Sequence, residues 1–322
     1  RAGRRGWGRH ASLFSRLIDR RPQGVFANTR PAGRLVARQQ SLSIGLRRTL
    51  SSKRGLALSV AEQPSSFMTL REDVAVGWEA LDQWGDDVAR IERFQAGVAN
   101  EVWTVRVNGH LAVGRLGHRS DADLSWETEL LRHLDREGMT VPVPIPTTDG
   151  RHFADGLVVM TYVEGGPPKT EADWRRVADT LRQLHRLTHG WPQRPGWRSS
   201  TDLLHAETGT KIDLGAMPPE GVVRCRAAWA RLTGRERCVV HGNPNSGNIR
   251  MTADRVALID WDESHIDVPD LDLVLPHNAA GLDADAHDVA AQASAAWEAA
   301  VCWDPSGTDE FAVKRLAEVR AV

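Results

Sequence analysis

Two short segments combine side chains able to hold a cation and to orient a hydroxyl: His241-Gly242-Asn243-Pro244-Asn245-Ser246-Gly247-Asn248 and Ile259-Asp260-Trp261-Asp262. Asn248 offers an amide oxygen, and Asp260, twelve residues later, a carboxylate. Both are hard oxygen ligands of the kind that hold magnesium on nucleotide phosphates. Either segment alone is a weak signal. Their order and spacing strengthen it, as do the apolar runs beside them, Cys238-Val239-Val240 and Val256-Ala257-Leu258-Ile259, which predict short flanking strands.

Upstream, the pattern predicts a short helix over 78–86, then strands over Ile91–Phe94 and Glu101–Val107 with a small-residue turn between them. Asn108-Gly109 is a two-residue hairpin signal leading to a third strand over Leu111–Leu116. A helix is expected over Ala122–Glu137, stopped by Gly138, and further strands over Val141–Ile145 and Leu157–Tyr162. After the hinge-like Glu164-Gly165-Gly166-Pro167-Pro168 the pattern turns helical, with helices over Glu171–Thr188, 285–302 and 308–320. The sum is an α+β protein, an antiparallel meander followed by a mainly helical half.

The loop and strand resemble the catalytic segment of the aminoglycoside phosphotransferase and choline kinase family, whose pattern is His-Gly-Asp-x-x-x-x-Asn followed by Ile-Asp-Trp. That resemblance spans about 75–300 and implies a protein-kinase-like fold of two lobes, ATP and magnesium as cofactors, and a hydroxyl-bearing small molecule as acceptor. It further implies metal ligands at Asn248 and Asp260 and a catalytic loop whose candidate residues are Asn243 and His241, the latter in the place of the loop's structural histidine. At the position of Asn243 the family carries an aspartate that takes the acceptor's proton, so slow transfer and a nucleotide-binding pseudokinase both remain open. The turn from Ala96 to Asn100 falls where the family covers the phosphates, which makes Gly97 and Asn100 nucleotide-binding candidates. Arg115 stands in the place of the phosphate-pairing lysine, and Glu127 in that of its partner. Thr161 and Val163 fall at the hinge, where backbone groups meet adenine. Leu181-Arg182-Gln183-Leu184-His185 resembles the family's Leu-x-x-Leu-His helix, with His185 as a loop brace.

Other readings compete for some of these residues. His185 and His189 are spaced like zinc ligands, yet no third ligand is evident. Asp260-x-Asp262 also fits the metal motif of a nucleotide-sugar glycosyltransferase, but the meander does not. Trp174, Trp191 and Trp197 are candidates for either core packing or a substrate pocket. From Val256 to Val313 there is no Lys or Arg against thirteen Asp or Glu, which predicts either a negative cleft suited to magnesium and a cationic acceptor or a set of structural and solvated carboxylates.

Composition bounds the rest. At 41 % hydrophobic and 26 % charged residues the chain reads as an ordinary globular protein, with no apolar run approaching the roughly 18 to 20 residues of a membrane helix. Three scattered cysteines suggest neither a disulfide framework nor a zinc site, so a cytoplasmic setting is expected. Residues 1–67 carry fourteen Lys or Arg against Asp19 and Glu62. This Arg-rich head is expected to be disordered, either an over-extension upstream of a start at Met68 or a targeting arm. The expected organisation is this head, a nucleotide-binding lobe over 68–163 and a helical lobe over 164–322, with neither nucleic acid nor membrane as partner of the body.

Overall fold

The computed structural model describes residues 77–94, 100–209, 211–304, 306–307 and 309–321. The expectations for residues 1–67 and for Gly97 lie outside the described residues.

A 3₁₀ turn over Trp78–Trp84 leads into strands β1 (Val88–Arg93), β2 (Glu101–Val107) and β3 (His110–Leu116). With β4 (Leu157–Thr161) these form one antiparallel sheet in the order β1-β2-β3-β4. The hairpin between β2 and β3 turns at Asn108 and Gly109, both at positive φ (50° and 77°), which is why the Asn-Gly pair sets its register. The expected strand at 141–145 does not form a ladder. Pro142, Pro144 and Pro146 remove alternate N–H donors, so this segment lies extended beside β4 through the backbone bonds Ile145 N–H to Val159 O (2.8 Å) and Thr161 N–H to Val143 O (2.9 Å) and through Val143 N–H to the Thr161 hydroxyl (2.9 Å).

Helix α1 (Asp121–Arg136) starts at Ser120, whose side chain accepts the Asp123 N–H, and stops before Gly138 at φ 82°. Its Leu124, Leu130, Leu131 and Leu134 are buried, each worth about 2 kcal/mol by area. They share a core with Val158 and Met160 of β4, with Val177, Leu181 and Leu184 of α2 (Glu171–Leu187), and with Val239 and Leu258. α2 opens on a capping box between Thr170 and Asp173. The small hairpin β5 (Thr208–Gly209) and β6 (Ile212–Asp213) then precedes α3 (Pro219–Ala230). Sequence periodicity did not indicate α3, a helix with proline in its first turn.

Two further hairpin-like pairs carry the segments with chemistry. β7 (Cys238–Val240) pairs antiparallel with β10 (His265–Asp267), and β8 (Ile249–Met251) with β9 (Val256–Leu258). Helices α4 (Ala284–Val301) and α5 (Glu310–Glu318) close the chain over a second core with α3, around Trp229, Trp297 and Leu316. The Gly/Pro segment expected to be a hinge is tied down. Gly166 and Met251 exchange both backbone hydrogen bonds (3.1 and 2.7 Å), and a Cβ on Gly165 would stand 2.8 Å from Met251 backbone atoms. No helix of the described residues is long and apolar enough to cross a membrane.

Candidate active site

The β8–β9 hairpin brings the two proposed cation ligands to one end. Ile259 N–H donates to Asn248 O at 2.9 Å just beyond the last paired residues, Ile249 and Leu258, so Asp260 stands one residue past the partner of Asn248 at the open end of the hairpin. Asn248 spends its amide N–H on Asn243 O (3.0 Å), and its Oδ1 takes no hydrogen bond among the described residues. Asp260 stands at φ 64°, a left-handed conformation that costs a non-glycine residue about 1 to 2 kcal/mol. It is exposed as a residue, yet protein crowds its carboxyl group. That loss of hydration, and then the charge of Asp262, pushes its pKa up to about 7 against the pull of Arg115. A carboxylate so placed gains from a cation, and the unbonded Oδ1 of Asn248, one register position away, is a second oxygen donor.

The loop from His241 to Asn248 is held from below. Asp272 accepts the N–H groups of His241 (2.7 Å) and Gly242 (3.0 Å) on its two oxygens, and His185 Nε2 lies 3.0 Å from Oδ2. His185 therefore braces the loop through Asp272. His189 is exposed, and the described residues contain no group of three metal-ligating side chains. Burial lowers the His241 pKa and keeps its ring neutral. Nε2 then donates to Ile259 O (3.0 Å), while Nδ1 accepts the N–H of Asn243 (3.4 Å). With both nitrogens spent, His241 is a strut between the loop and the strand end before Asp260, not a reacting group. Gly242 is required as glycine: φ is 82°, and a Cβ there would stand 2.4 Å from Glu263 O.

Asn243 is half-buried. Its Oδ1 accepts from Asn245 Nδ2 (2.7 Å) and its carbonyl accepts from Asn245 N–H (2.8 Å) and Asn248 Nδ2. This side chain can orient a hydroxyl through the second lone pair of Oδ1 but cannot take up a proton.

Beside the loop lies a cluster of buried charges. Arg115 on β3 is ion-paired with Glu127 on α1 and stands 2.8 Å from Asp262 Oδ1. Arg119 pairs with the same Glu127, and Arg194 Nη2 reaches it at 3.3 Å. Burial alone would raise the Glu127 pKa, but Arg115, Arg119 and Arg194 hold it well below the ordinary carboxylate range. Asn100 donates to Asp262 Oδ2, so the residue at the end of the β1–β2 turn touches the loop after Asp260. Arg115 Nε is buried without a hydrogen-bond partner, an N–H that an anionic oxygen would satisfy.

At the hinge the N–H of Thr161 is used by Val143 O, while the backbone groups of Val163 carry no hydrogen bond among the described residues. Of the two readings of the acidic stretch, structural and solvated carboxylates fit better than a negative cleft, because cations from elsewhere in the chain fold onto it. Asp262 meets Arg115 and Arg119, Glu263 meets Lys211, Asp270 meets Arg235, Asp288 meets Arg231 and Arg320, and Glu298 meets Arg315. Asp267 is structural, accepting Ser200 N–H at 2.6 Å and its hydroxyl at 2.7 Å. A count along the sequence cannot see partners that arrive through tertiary contact. Trp174 packs in the core and Trp197 stacks on His265 (5.1 Å between centroids), so neither lines an open pocket.

Arg194 was not singled out from the sequence. It lies in the Pro- and Trp-rich loop after α2, where nothing in spacing marks it.

The sequence profile described as the phosphotransferase enzyme family matches residues 90–311. Comparison with curated protein sequences returned no match. Among solved structures, the choline kinase LicA from Streptococcus pneumoniae is 13 % identical with a TM-score of 0.54, over 75 % of this chain and 95 % of its own. A microcompartment-associated aminopropanol kinase is 19 % identical with a TM-score of 0.52, over 76 % and 94 %. A putative fructosamine-3-kinase from Haemophilus somnus is 13 % identical with a TM-score of 0.53, over 74 % and 97 %. At these identities the likeness establishes the fold: a protein-kinase-like, two-lobed α+β architecture.

Proposed function

The chain belongs to the phosphotransferase enzyme family, and from that premise we propose that it transfers the terminal phosphoryl group of ATP to a hydroxyl of a small molecule. The acceptor class is an aminoglycoside, an amino alcohol or a sugar-like alcohol. The observation that carries this reading is that Asn248 and Asp260 both lie at the open end of one hairpin, and that Asp262, two residues on, contacts the buried Arg115–Glu127 pair.

In this reading Asn248 and Asp260 would hold magnesium, which neutralises phosphate charge. Arg115, its two Nη groups engaged by Glu127 and Asp262, would offer its unbonded Nε–H to a phosphate oxygen. Asn100, held on Asp262, would stand beside the phosphates, and Val163 would offer backbone groups to adenine. Asn243 orients the acceptor hydroxyl by accepting its hydrogen bond. The hydroxyl oxygen bonds to the γ-phosphorus as the bond to the ADP oxygen breaks, and the proton passes to solvent because residue 243 cannot keep it. Phosphoryl transfer relies mainly on position and charge neutralisation, so the step is slowed and not abolished.

A second reading, a nucleotide-binding pseudokinase, is favoured by the same asparagine, whose Oδ1 is already engaged by Asn245. One experiment separates them. Thermal stabilisation of the full chain by ATP is measured with and without magnesium, and phosphate transfer is followed to aminopropanol, choline, fructosamine, aminoglycosides and sugars. Magnesium-dependent stabilisation with transfer supports the kinase, and stabilisation without any transfer supports the pseudokinase. Absence of stabilisation sinks both.

A further inference from the structure

Arg194 is 1 % exposed and its guanidinium reaches two parts of the site at once. On one side it pairs with Asp123 through Nε and with Glu127 through Nη2, both on α1. On the other, Nη1 donates to the carbonyls of Trp261 (3.0 Å), Asp262 (3.2 Å) and Ser264 (2.8 Å), the residues that follow Asp260. The rings of Trp126 and Trp197 flank it at 5.3 and 5.1 Å. Gln193 fastens the same loop, donating to Ile266 O at 3.0 Å and accepting Ile266 N–H at 2.9 Å.

In the direct ion pairs of this cluster three guanidiniums, Arg115, Arg119 and Arg194, face three carboxylates, Asp123, Glu127 and Asp262, and Asp260 acts on Arg115 as well. Without Arg194 the carboxylates would outnumber the guanidiniums, and Arg115 would serve only as their internal counter-ion. We propose that Arg194 is a positioning residue for nucleotide binding: by neutralising Asp123 and Glu127 and fixing the loop after Asp260 to α1, it keeps the Nε–H of Arg115, which Glu127 and Asp262 leave unbonded, available to phosphate. This rests on the nucleotide reading of the Arg115 site given above.

The test compares Arg194→Met and Asp123→Asn in the full chain, with binding of ATP measured by calorimetry with and without magnesium, at a temperature where circular dichroism shows each variant folded. Arg194→Met removes a positive charge and is expected to weaken binding at least tenfold, with partial recovery in Arg194→Lys. Asp123→Asn removes a negative charge while its amide oxygen still accepts from Nε, so binding is expected to tighten two- to fivefold even as the melting temperature falls. A purely structural role would weaken binding in both variants in step with lost stability. Should Arg194→Met fail to fold, the sign of the Asp123→Asn effect alone decides, and unchanged or weaker binding overturns the proposal. If the unsubstituted chain binds no ATP, the nucleotide reading fails and this one with it; if it binds and Asp123→Asn does not tighten it, only the role of Arg194 fails.

Discussion

Asp272 receives the backbone N–H of His241 at 2.7 Å, from thirty-one residues further along the chain. With the Gly242 N–H and His185 on the same carboxylate, this is what holds the loop beneath Asn243. Burial would raise the Asp272 pKa, but the hydrogen bonds from His185 and from the backbone N–H of His241 outweigh it and hold the group below its ordinary value near 3.8. A carboxylate with a depressed folded pKa adds stability above its unfolded pKa and loses it as pH falls through the folded one. The loop is therefore expected to loosen below about pH 4, read as faster hydrogen exchange at residues 238–248. Asp272→Asn should lower stability at neutral pH by about 2 to 4 kcal/mol and remove that acid dependence. An acid profile that the substitution leaves unchanged would place the brace elsewhere.

Asn243→Asp is the direct test of the loop's chemistry. Asn245 Nδ2 already donates to Oδ1 of residue 243, and an aspartate would keep that bond while presenting its second oxygen to the acceptor. General bases contribute about 10²- to 10⁴-fold, equivalent to about 3 to 5 kcal/mol. Turnover is expected to rise at least tenfold in a steady-state assay with the KM for ATP little changed. An unaltered rate would mean that residue 243 does not face the acceptor.

Glu127 is the centre of the buried cluster, contacted by three guanidiniums while essentially without solvent exposure. Removing one partner of a buried ion pair leaves uncompensated charge, at a cost of about 3 to 5 kcal/mol. Glu127→Gln should lose stability on that scale in urea unfolding, with the slope unchanged. A loss under about 1 kcal/mol would show that water reaches the cluster and that Arg115 is not preorganised by it.

Much of this architecture could be read along the chain, because its signals are local. The Asn108-Gly109 turn, the leucine stripe of α1 ending at Gly138, and the Leu-x-x-Leu-His stretch of α2 each depend on residues within one or two turns of each other. The spacing of Asn248 and Asp260 was legible for the same reason, since a single hairpin joins them. Three things were not. The prolines of 142–146 removed the donors that an apolar alternation seemed to promise. Helix α3 is stabilised by burying Cys225 and Trp229 against α4, a partner some seventy residues away, and not by its own periodicity. Arg194 looked like one polar residue in an irregular loop, and its importance comes from charges on α1 and carbonyls after Asp260 that no local pattern joins to it.

Asp260 sets function against stability at one position. Its left-handed φ of 64° suits glycine, and aspartate there carries about 1 to 2 kcal/mol of backbone strain. Its carboxyl group is also pushed up to about 7, by crowding and by Asp262, so charging it without a cation costs further free energy. Asp260→Gly relieves both and is expected to raise the unfolding free energy by about 1 kcal/mol, offset in part by the greater freedom of glycine in the unfolded chain. The same change should abolish magnesium-dependent stabilisation by ATP, leaving at most the weaker magnesium-independent part. Asp260→Asn separates the two effects, because asparagine tolerates the left-handed region and keeps an oxygen while losing the charge. It should sit near the unsubstituted chain in stability and near Asp260→Gly in its response to magnesium. The check is a melting series of all three proteins with ATP, magnesium, both and neither. A glycine variant that is less stable, or one that keeps the full magnesium response, would contradict a cation-binding aspartate held in strain at this hairpin end.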